Sequence, residues 1–460
     1  MAAFLRNLSE FASDASESED ESRFNSDVET SEEDDFPGVP VWRTVVNISK
    51  GIIGEGILSL PAGLAAGMGI FSGLLIAAVF CAVFVYTFWT LGRVCEVTGE
   101  KSHRGMGNKV TEGVAFGASM AVTNMLKTLF TCTAYALVIG RNSEDILAPL
   151  LPGAWVTSRR GSLLIVLVVI LLPLCLLRDL SKLAWSSFLG LLCETGVVGF
   201  MLWRLVDGSY QPGGYFYMRQ AEETRVSWGA SGEPEQWTTG PSTLIFLGAM
   251  STAFLAHYNA PKFYHQLQDR SPRSFFIATV TSFSCALALF SACMLIGYLT
   301  FGANCKGNIL HNYSRQDSWA ETARVAMLVA VICGFPIGFT GLRDAVLSLC
   351  GCSSRRRIWV PTTLALLVLI GVLGMCLDDL GVVNSLGGAI LGSLITMIFP
   401  GLLLAFVARA SESSLLPGKK CVFRKVEGKF LGPALVVAGC ILLVFGSSVI
   451  ISIRILHKDG

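Results

Sequence analysis

Charged residues are scarce in this chain of 460 residues, at 15% against about 25% in ordinary globular proteins. Hydrophobic residues make up 52%, a share that a soluble core cannot bury and that a disordered chain would not contain. The net charge of +1 gives no reason to expect nucleic acid binding. The composition therefore predicts a polytopic membrane protein.

The sequence also lacks the usual signatures of an enzyme or an ATP-driven pump. It has no phosphate-binding Gly-Lys-Ser/Thr loop, no cluster with metal-ligand spacing, and no evident Ser/His or paired-carboxylate constellation. Most of the fourteen cysteines lie inside apolar runs, so we interpret them as small apolar residues rather than a disulfide framework. We therefore predict no enzyme activity, no cofactor and no metal site.

Acidic residues concentrate at the N-terminus, where residues 1–35 hold twelve acids and two bases. Serines are interspersed with these acids, which is typical of a disordered segment that can be phosphorylated. We predict that residues 1–40 form an acidic, disordered cytosolic tail. It either binds a regulatory partner or is a solvated tail without a specific role.

The rest of the chain contains apolar runs of about 20 residues, the length that a helix needs to cross a bilayer. The runs are continuous rather than alternating, which favours helices over a β-barrel. The prediction is an all-α membrane protein with about 11 transmembrane helices. We number these spans one to eleven, with approximate cores at residues 42–66, 70–94, 118–140, 161–178, 183–204, 243–265, 275–301, 320–342, 358–377, 380–406 and 433–455.

Lys and Arg residues in the loops predict the orientation of these spans. With a cytosolic N-terminus, the cytosolic loops and helix ends carry nineteen of these bases and the opposite loops carry eight. Positive residues are enriched on the cytosolic side of membrane proteins, so the count supports this orientation. On the far side, Asn312-Tyr-Ser314 is a candidate glycosylation site.

Spans one and six differ from the others because they place glycines, polar groups, charges and prolines at membrane depth. Span one contains Lys50 and Glu55 among three glycines and ends at Pro61, and span six runs from Ser251 through His257 to a proline. Unwound backbone at this depth must be satisfied by protein, water or solute, and interruptions in corresponding segments indicate a transporter site. The alternative is a glycine face for helix packing.

Five segments follow one another in an order that is typical of one family: 50–61 (Lys-Gly-Ile-Ile-Gly-Glu-Gly-Ile-Leu-Ser-Leu-Pro), 254–267 with 271–273, 297–302 with 308–310, 335–343, and 384–389 with 399–400. Through them the chain resembles the amino acid/auxin permease family over about residues 42–405. The resemblance implies secondary active transport of amino acids by alternating access. It also implies a LeuT-like fold, with a 5+5 inverted repeat and broken helices one and six around the substrate. Residues 41–406 would then be a ten-helix transporter core, followed at 407–460 by a loop, the eleventh helix and a short tail.

The resemblance also assigns substrate-binding positions to the unwound parts of the two broken helices. Glu55 departs from the family, where a small or hydroxyl residue is usual at this position. It would pair with the substrate ammonium, favour a cationic substrate or carry a proton. The predicted substrate-binding residues are Ile53, Gly54, Glu55, Gly56, Ser251, Thr252, Ala253 and Phe254.

Ionisable residues inside spans are costly and are therefore candidates for coupling transport to an ion. Lys50 resembles the lysine of the proton-coupled branch of the family, and its ammonium would repel sodium. We therefore hypothesise proton coupling, with sodium coupling as the alternative. Lys127 and Glu194 could instead connect neighbouring helices through a polar contact. His257 could instead be a packing residue. The candidates are Lys50, Glu55, Lys127, Glu194, His257, Thr340 and Asn384.

Two other classes of function remain open. One is an amino acid sensor that signals through the N-terminal tail, and the other is a channel-like or scaffold protein. The sequence is equally compatible with a vacuolar or lysosomal membrane and with the plasma membrane. The expected partners are an amino acid, a proton or sodium ion, and the lipid bilayer.

Overall fold

The computed structural model describes residues 38–148, 151, 153–176, 183–228, 233–237, 240, 243–350, 356–377, 380–412 and 427–448. Across these ranges the regular structure is helical, apart from isolated bridges such as the one between Ser227 and Gly302. The chain divides into two units, Met1–Val39 and Pro40–Gly460, and the described helices belong to the second. The predicted acidic tail lies almost entirely outside the described residues.

Nine helices among the described residues are long and apolar enough to cross a membrane. They correspond to predicted spans two to five and seven to eleven, so the prediction of a helical, multi-pass membrane protein is confirmed. A helix suits lipid because its backbone hydrogen bonds are satisfied within the segment. The nine ranges are Ile70–Thr98, Val114–Leu147, Arg159–Leu176, Trp185–Val206, Pro272–Phe301, Ser318–Leu349, Ile358–Cys376, Val383–Arg409 and Glu427–Gly446.

Predicted spans one and six are each divided into shorter helices. Span one consists of Val41–Ile52 and Leu60–Ala65, and span six of Thr243–Ala253 and Ala260–Gln266. Each piece is shorter than the roughly 20 residues that a bilayer requires. The interruption predicted for both spans is present, and the total of eleven transmembrane helices stays a prediction.

The two broken spans lie in the interior of the helix bundle. The first half of span one packs against spans five and seven, and its second half against spans six and seven. Span three packs along span eight, which also contacts span five, while the first half of span six contacts span ten. Both interruptions are therefore surrounded by protein, which can satisfy unwound backbone.

The loop after span five is partly described, at residues 207–228 and 233–237. Arg204 at the end of span five donates to both carboxylate oxygens of Asp317, at 2.8 and 2.6 Å. The hydroxyl of Tyr210, in the loop, donates to the same carboxylate at 3.0 Å. Asp317 also caps span eight by accepting the backbone N–H of Trp319. The first part of this loop is therefore held against the start of span eight rather than being a loose connector.

Candidate functional site

Span one leaves helical geometry at two residues in its middle. The helix ends at Ile52, and Ile53 (φ −78°, ψ 113°) and Gly54 (φ −152°, ψ −154°) are extended. A 3-10 turn, Glu55–Ser59, then leads into the second half. In a continuous helix, the last carbonyls of the first half and the first N–H groups of the turn would be hydrogen-bonded within the helix. Here they face the gap instead.

Two glycines allow neighbouring helices to approach this gap closely. A Cβ atom on Gly54 would lie 2.9 Å from the hydroxyl of Tyr135 in span three. A Cβ on Gly56 would lie 3.1 Å from the backbone Cα of Ala253 in span six. Because glycine has no Cβ atom, neither close approach arises, and spans three and six can pack directly against the unwound backbone.

The interruption of span six lies beside that of span one, because Ala253 is the last residue of its first helix. Phe254 and the next two residues leave the helix, and a 3-10 turn, His257–Asn259, precedes the second half. The Phe254 ring is fully buried against the rings of Phe283 and Phe290. The two gaps thus face each other near the middle of the bundle, with an aromatic wall on one side.

Lys50 and Glu194 form a buried ion pair at the edge of the span one gap. The Nζ atom of Lys50 lies 2.6 Å from Oε1 of Glu194, and the side chains are 1% and 0% exposed. The same ammonium donates to the carbonyl of Ile53 at 3.4 Å. The second carboxylate oxygen of Glu194 accepts no hydrogen bond within the described ranges. Breaking a buried pair by removing one partner costs about 3–5 kcal/mol, so this pair fixes span one to span five.

Two further glycines make room for the Lys50 side chain. A Cβ on Gly190 of span five would lie 2.7 Å from its Cε atom, and one on Gly334 of span eight 3.3 Å from it. The lysine therefore passes between spans five and eight before its ammonium reaches the gap. The sequence analysis identified Lys50 and Glu194 separately, and the structure brings them together.

Glu55 and Lys127 are the second pair of opposite charges at the gap. They are 4% and 2% exposed. Glu55 lies on span one and Lys127 on span three, and the two spans approach each other where Gly54 meets Tyr135. The two charged side chains form no direct ion pair in the part of the chain that the structure describes.

A chain of polar contacts continues from Lys127 to the second half of span one. Lys127 Nζ donates to the hydroxyl of Thr252 at 3.4 Å, and that hydroxyl donates to the carbonyl of Asn384 at 2.5 Å. The amide of Asn384 donates to Ser59 Oγ at 3.4 Å, and Ser59 donates to the carbonyl of Gly56 at 2.9 Å. Thr252 and Asn384, predicted from sequence, therefore belong to the same polar cluster as Lys127.

His257 lies in a different environment from the other predicted residues. Its Nε2 atom lies 2.9 Å from Thr87 Oγ1, and its ring packs edge-on against those of Phe84 and Phe88. His103, on the short helix His103–Thr111, contacts the His257 carbonyl through Nε2 at 3.0 Å. These neighbours favour a packing role, and no carboxylate is within ion-pair distance of His257 among the described residues.

The remaining predicted residues lie apart from the two charge pairs. The buried hydroxyl of Ser251 faces Gly392, where a Cβ would come within 2.6 Å of it. Thr340 donates to the carbonyl of Ile337 in its own helix, at 3.0 Å. Asn312 is 1% exposed, and its amide group accepts from Lys306 and donates to Asn304. A glycan on Asn312 would displace both contacts, so glycosylation there stays an untested prediction.

Tyr135, Gly190 and Gly334 belong to the site and carried no signal in the sequence. A single tyrosine or glycine inside an apolar helix is common, and its neighbours depend on helix packing.

No group of three or more His, Cys, Asp or Glu residues that could hold a metal ion is found in the described ranges.

The sequence is similar to those of known membrane transporters. It is 24% identical over 367 residues to the mouse protein named "Putative sodium-coupled neutral amino acid transporter 11", covering 77% of this chain and 75% of that protein. It is 24% identical over 398 residues to human solute carrier family 38 member 8, covering 81% and 86%. The family described as transmembrane amino acid transporter protein matches residues 38–452. Because this match covers most of the chain, the resemblance to the amino acid/auxin permeases is confirmed and the protein is a transporter, not an enzyme. The chain belongs to the amino acid/auxin permease family of transmembrane amino acid transporters.

Proposed function

We propose that the protein is a secondary active transporter that moves amino acids by alternating access, with substrate bound between the two helix gaps. The observation that carries the proposal is the contact of Gly56 with Ala253, which places two unwound segments side by side inside the bundle. Family membership supplies the substrate class.

The two gaps suit a zwitterion because they offer backbone groups with partial charges of both signs. The N–H groups at the start of the Glu55–Ser59 turn suit a carboxylate, as at other helix N-termini. The carbonyl groups at the ends of Val41–Ile52 and Thr243–Ala253 suit an ammonium. Ile53, Gly54, Glu55 and Gly56 would contact the substrate from span one, and Ser251, Thr252, Ala253 and Phe254 from span six.

We further propose a LeuT-like arrangement, in which spans one to five and six to ten form two inverted repeats. Spans one and six are the first helices of the two sets, and both are interrupted, as such an arrangement requires. Residues 41–406 would form this ten-helix core. Span eleven would lie outside the repeat, and the cytosolic tail, residues 1–40, would bind a regulatory partner.

Proton coupling through Lys50 and Glu194 is the coupling mechanism that we propose. The ammonium of Lys50 contacts a backbone carbonyl and a carboxylate, oxygen ligands of the kind that suit a sodium ion. It therefore excludes sodium from that position and leaves the pair able to exchange a proton. The name of the mouse relative states sodium coupling, so sodium symport is the alternative that the experiment must separate.

Reconstitution of the full chain into proteoliposomes tests these proposals. Uptake of a panel of radiolabelled amino acids is measured under an imposed proton gradient and, separately, under an imposed sodium gradient. We expect uptake that saturates, follows the proton gradient and is abolished by a proton ionophore. Strict dependence on sodium with no effect of the ionophore would reverse the coupling proposal. Uptake of no amino acid under either gradient would refute the transport proposal.

The cellular membrane is a separate proposal. We propose a vacuolar or lysosomal membrane or the plasma membrane, with the N-terminus in the cytosol as the distribution of Lys and Arg predicts. Fluorescence microscopy of the tagged chain identifies the membrane. Protease protection of a tag at the N-terminus in sealed vesicles determines its side.

A further inference from the structure

A short helix that follows span two, His103–Thr111, is attached to two other spans of the bundle. A Cβ atom on its Gly107 would lie 2.6 Å from the Cα atom of Gly117 in span three, so a side chain there would force the two helices apart. Arg104 donates a hydrogen bond to the carbonyl of Ser348, near the end of span eight. The short helix therefore has a fixed place relative to spans three and eight.

His103, the first residue of this helix, reaches the turn that interrupts span six. Its Nε2 atom lies 3.0 Å from the carbonyl oxygen of His257, which also accepts the backbone N–H of Ala260. A carbonyl oxygen only accepts hydrogen bonds, so Nε2 of His103 carries a proton and is the donor. The side chain is buried, and burial lowers the pKa of His103 to about 4. The ring is therefore neutral at pH 7, with its single proton on Nε2.

The same turn is held by span two through the side chain of His257. Its Nε2 atom lies 2.9 Å from the hydroxyl of Thr87, which donates to the carbonyl of Phe84 at 3.3 Å. Farther along span six, Nε2 of His265 lies 3.0 Å from the carbonyl of Glu100, just before the short helix. Span two and the segment that follows it thus contact the turn and the second half of span six on both sides of the turn.

We propose that His103 is a positioning residue for substrate binding, which holds the turn of span six so that the unwound residues before it face the gap of span one. The inference rests on the proposed function and adds to it a residue that lies outside the gap. The proposed substrate-binding residues 251–254 end just before the turn, which begins at His257. Without the contact from His103 the turn samples other positions, and the fraction of molecules ready to bind substrate falls.

Variants of the full chain in proteoliposomes test the proposal. His103→Leu removes the donor, whereas His103→Gln keeps an N–H donor near the position of Nε2. Uptake is measured with whichever of radiolabelled glutamine, alanine, lysine and glutamate the wild type carries fastest. For His103→Leu we expect KM to rise about two- to tenfold, the range that one lost hydrogen bond gives, without a fall in Vmax. His103→Gln should stay near the wild type, as should the control Lys109→Met, which replaces a side chain 48% exposed on the same helix.

Hydrogen–deuterium exchange of the purified protein gives a readout that does not depend on transport. Exchange at the backbone amides of residues 254–260 should increase in His103→Leu and return to the wild-type level in His103→Gln, with exchange in spans two and eight unchanged. A residue that only supports the fold would instead raise exchange throughout the bundle and lower Vmax at a constant KM.

The outcomes separate the inference from the proposed function. Wild-type protein that takes up no amino acid refutes the proposed function, and the anchoring of the turn is then judged by exchange alone. An unchanged KM or unchanged exchange at 254–260 in His103→Leu overturns the inference, as does His103→Gln that behaves like His103→Leu. If His103→Leu is not monodisperse, Gly107→Ala replaces it, because its Cβ displaces the short helix from span three. An unchanged KM in that variant likewise overturns the inference, and a raised KM with raised local exchange supports it.

Discussion

Replacing Lys50 with methionine removes the cation from an ion pair that is shielded from solvent on both sides. Lys50 and Glu194 are 1% and 0% exposed, and their charged atoms are 2.6 Å apart. No other hydrogen bond to Glu194 is present in the described ranges, so Lys50→Met leaves its carboxylate without a partner. We expect the free energy of unfolding to fall by about 3–5 kcal/mol.

A double-mutant cycle separates this ion pair from the loss of packing. Glu194→Leu should also destabilise the protein, because Lys50 then keeps only the 3.4 Å contact with the Ile53 carbonyl. The double variant Lys50→Met with Glu194→Leu buries apolar groups of similar size, and we expect it to be more stable than either single variant. Thermal unfolding in detergent measures the stability of the wild type, the two single variants and the double variant, with Lys262→Met as a control for a partly exposed lysine.

Transport provides the second measurement on the same variants. If the Lys50 ammonium excludes sodium, its removal should expose the Ile53 carbonyl and the Glu194 carboxylate as ligands for a cation. We therefore expect Lys50→Met to lose its response to a proton gradient and to acquire a response to sodium. Single variants as stable as the wild type, or destabilisations that simply add in the double variant, would refute the proposed pairing.

Three other features of the structure predict measurable effects. Gly56→Val should abolish uptake because its Cβ would lie 3.1 Å from the Cα of Ala253, whereas Gly196→Val, with no atom within 4 Å of its Cβ, should transport normally. Asp317→Asn should lower the free energy of unfolding by about 2–3 kcal/mol, measured by melting temperature, because it weakens charged hydrogen bonds at the start of span eight. A glycan on Asn312, the candidate site, would break its hydrogen bonds with Lys306 and Asn304, so a mobility shift on glycosidase treatment that is lost in Asn312→Gln would show that this loop opens.

The two interruptions could be predicted from the sequence because they contain polar, glycine and proline residues within otherwise apolar runs. Gly54, Glu55 and Pro61 lie within a run that would otherwise read as a membrane helix, and His257 and Pro261 do the same in span six. A helix that faces lipid does not tolerate such residues, so local composition alone indicated both gaps. The extended backbone at Gly54 and the break after Ala253 agree with that reasoning.

The partners of the ionisable residues could not be predicted in the same way. Lys50 and Glu194 are 144 residues apart, and the apolar runs between them are alike in composition. Which helices become neighbours depends on small residues and shape, as the close passage of Lys50 past Gly190 and Gly334 illustrates. Sequence analysis could therefore name the charged residues of the site and not their pairing.

Span boundaries were underestimated where a helix continues beyond its apolar core. Span three was predicted over 118–140 and extends over Val114–Leu147, and span eight was predicted over 320–342 and extends over Ser318–Leu349. The extra turn of span three contains Asp145, which pairs with His311 and Arg315. Hydropathy locates the part of a helix that faces lipid, whereas these turns are held by polar contacts with loops.

The buried ion pair at the gap connects span one to span five, which would belong to a separate body under the proposed alternating access. Lys50 lies 2.6 Å from Glu194 across this connection. Two unit charges about 4 Å apart attract by about 4 kcal/mol at an effective dielectric constant near 20, and doubling the distance forfeits about half of that. A rocking motion that stretched this pair would therefore be slow while both groups are charged. A proton bound by Glu194 would remove its attraction to Lys50, which gives a physical reason for the proposed movement of span one to depend on the coupling proton.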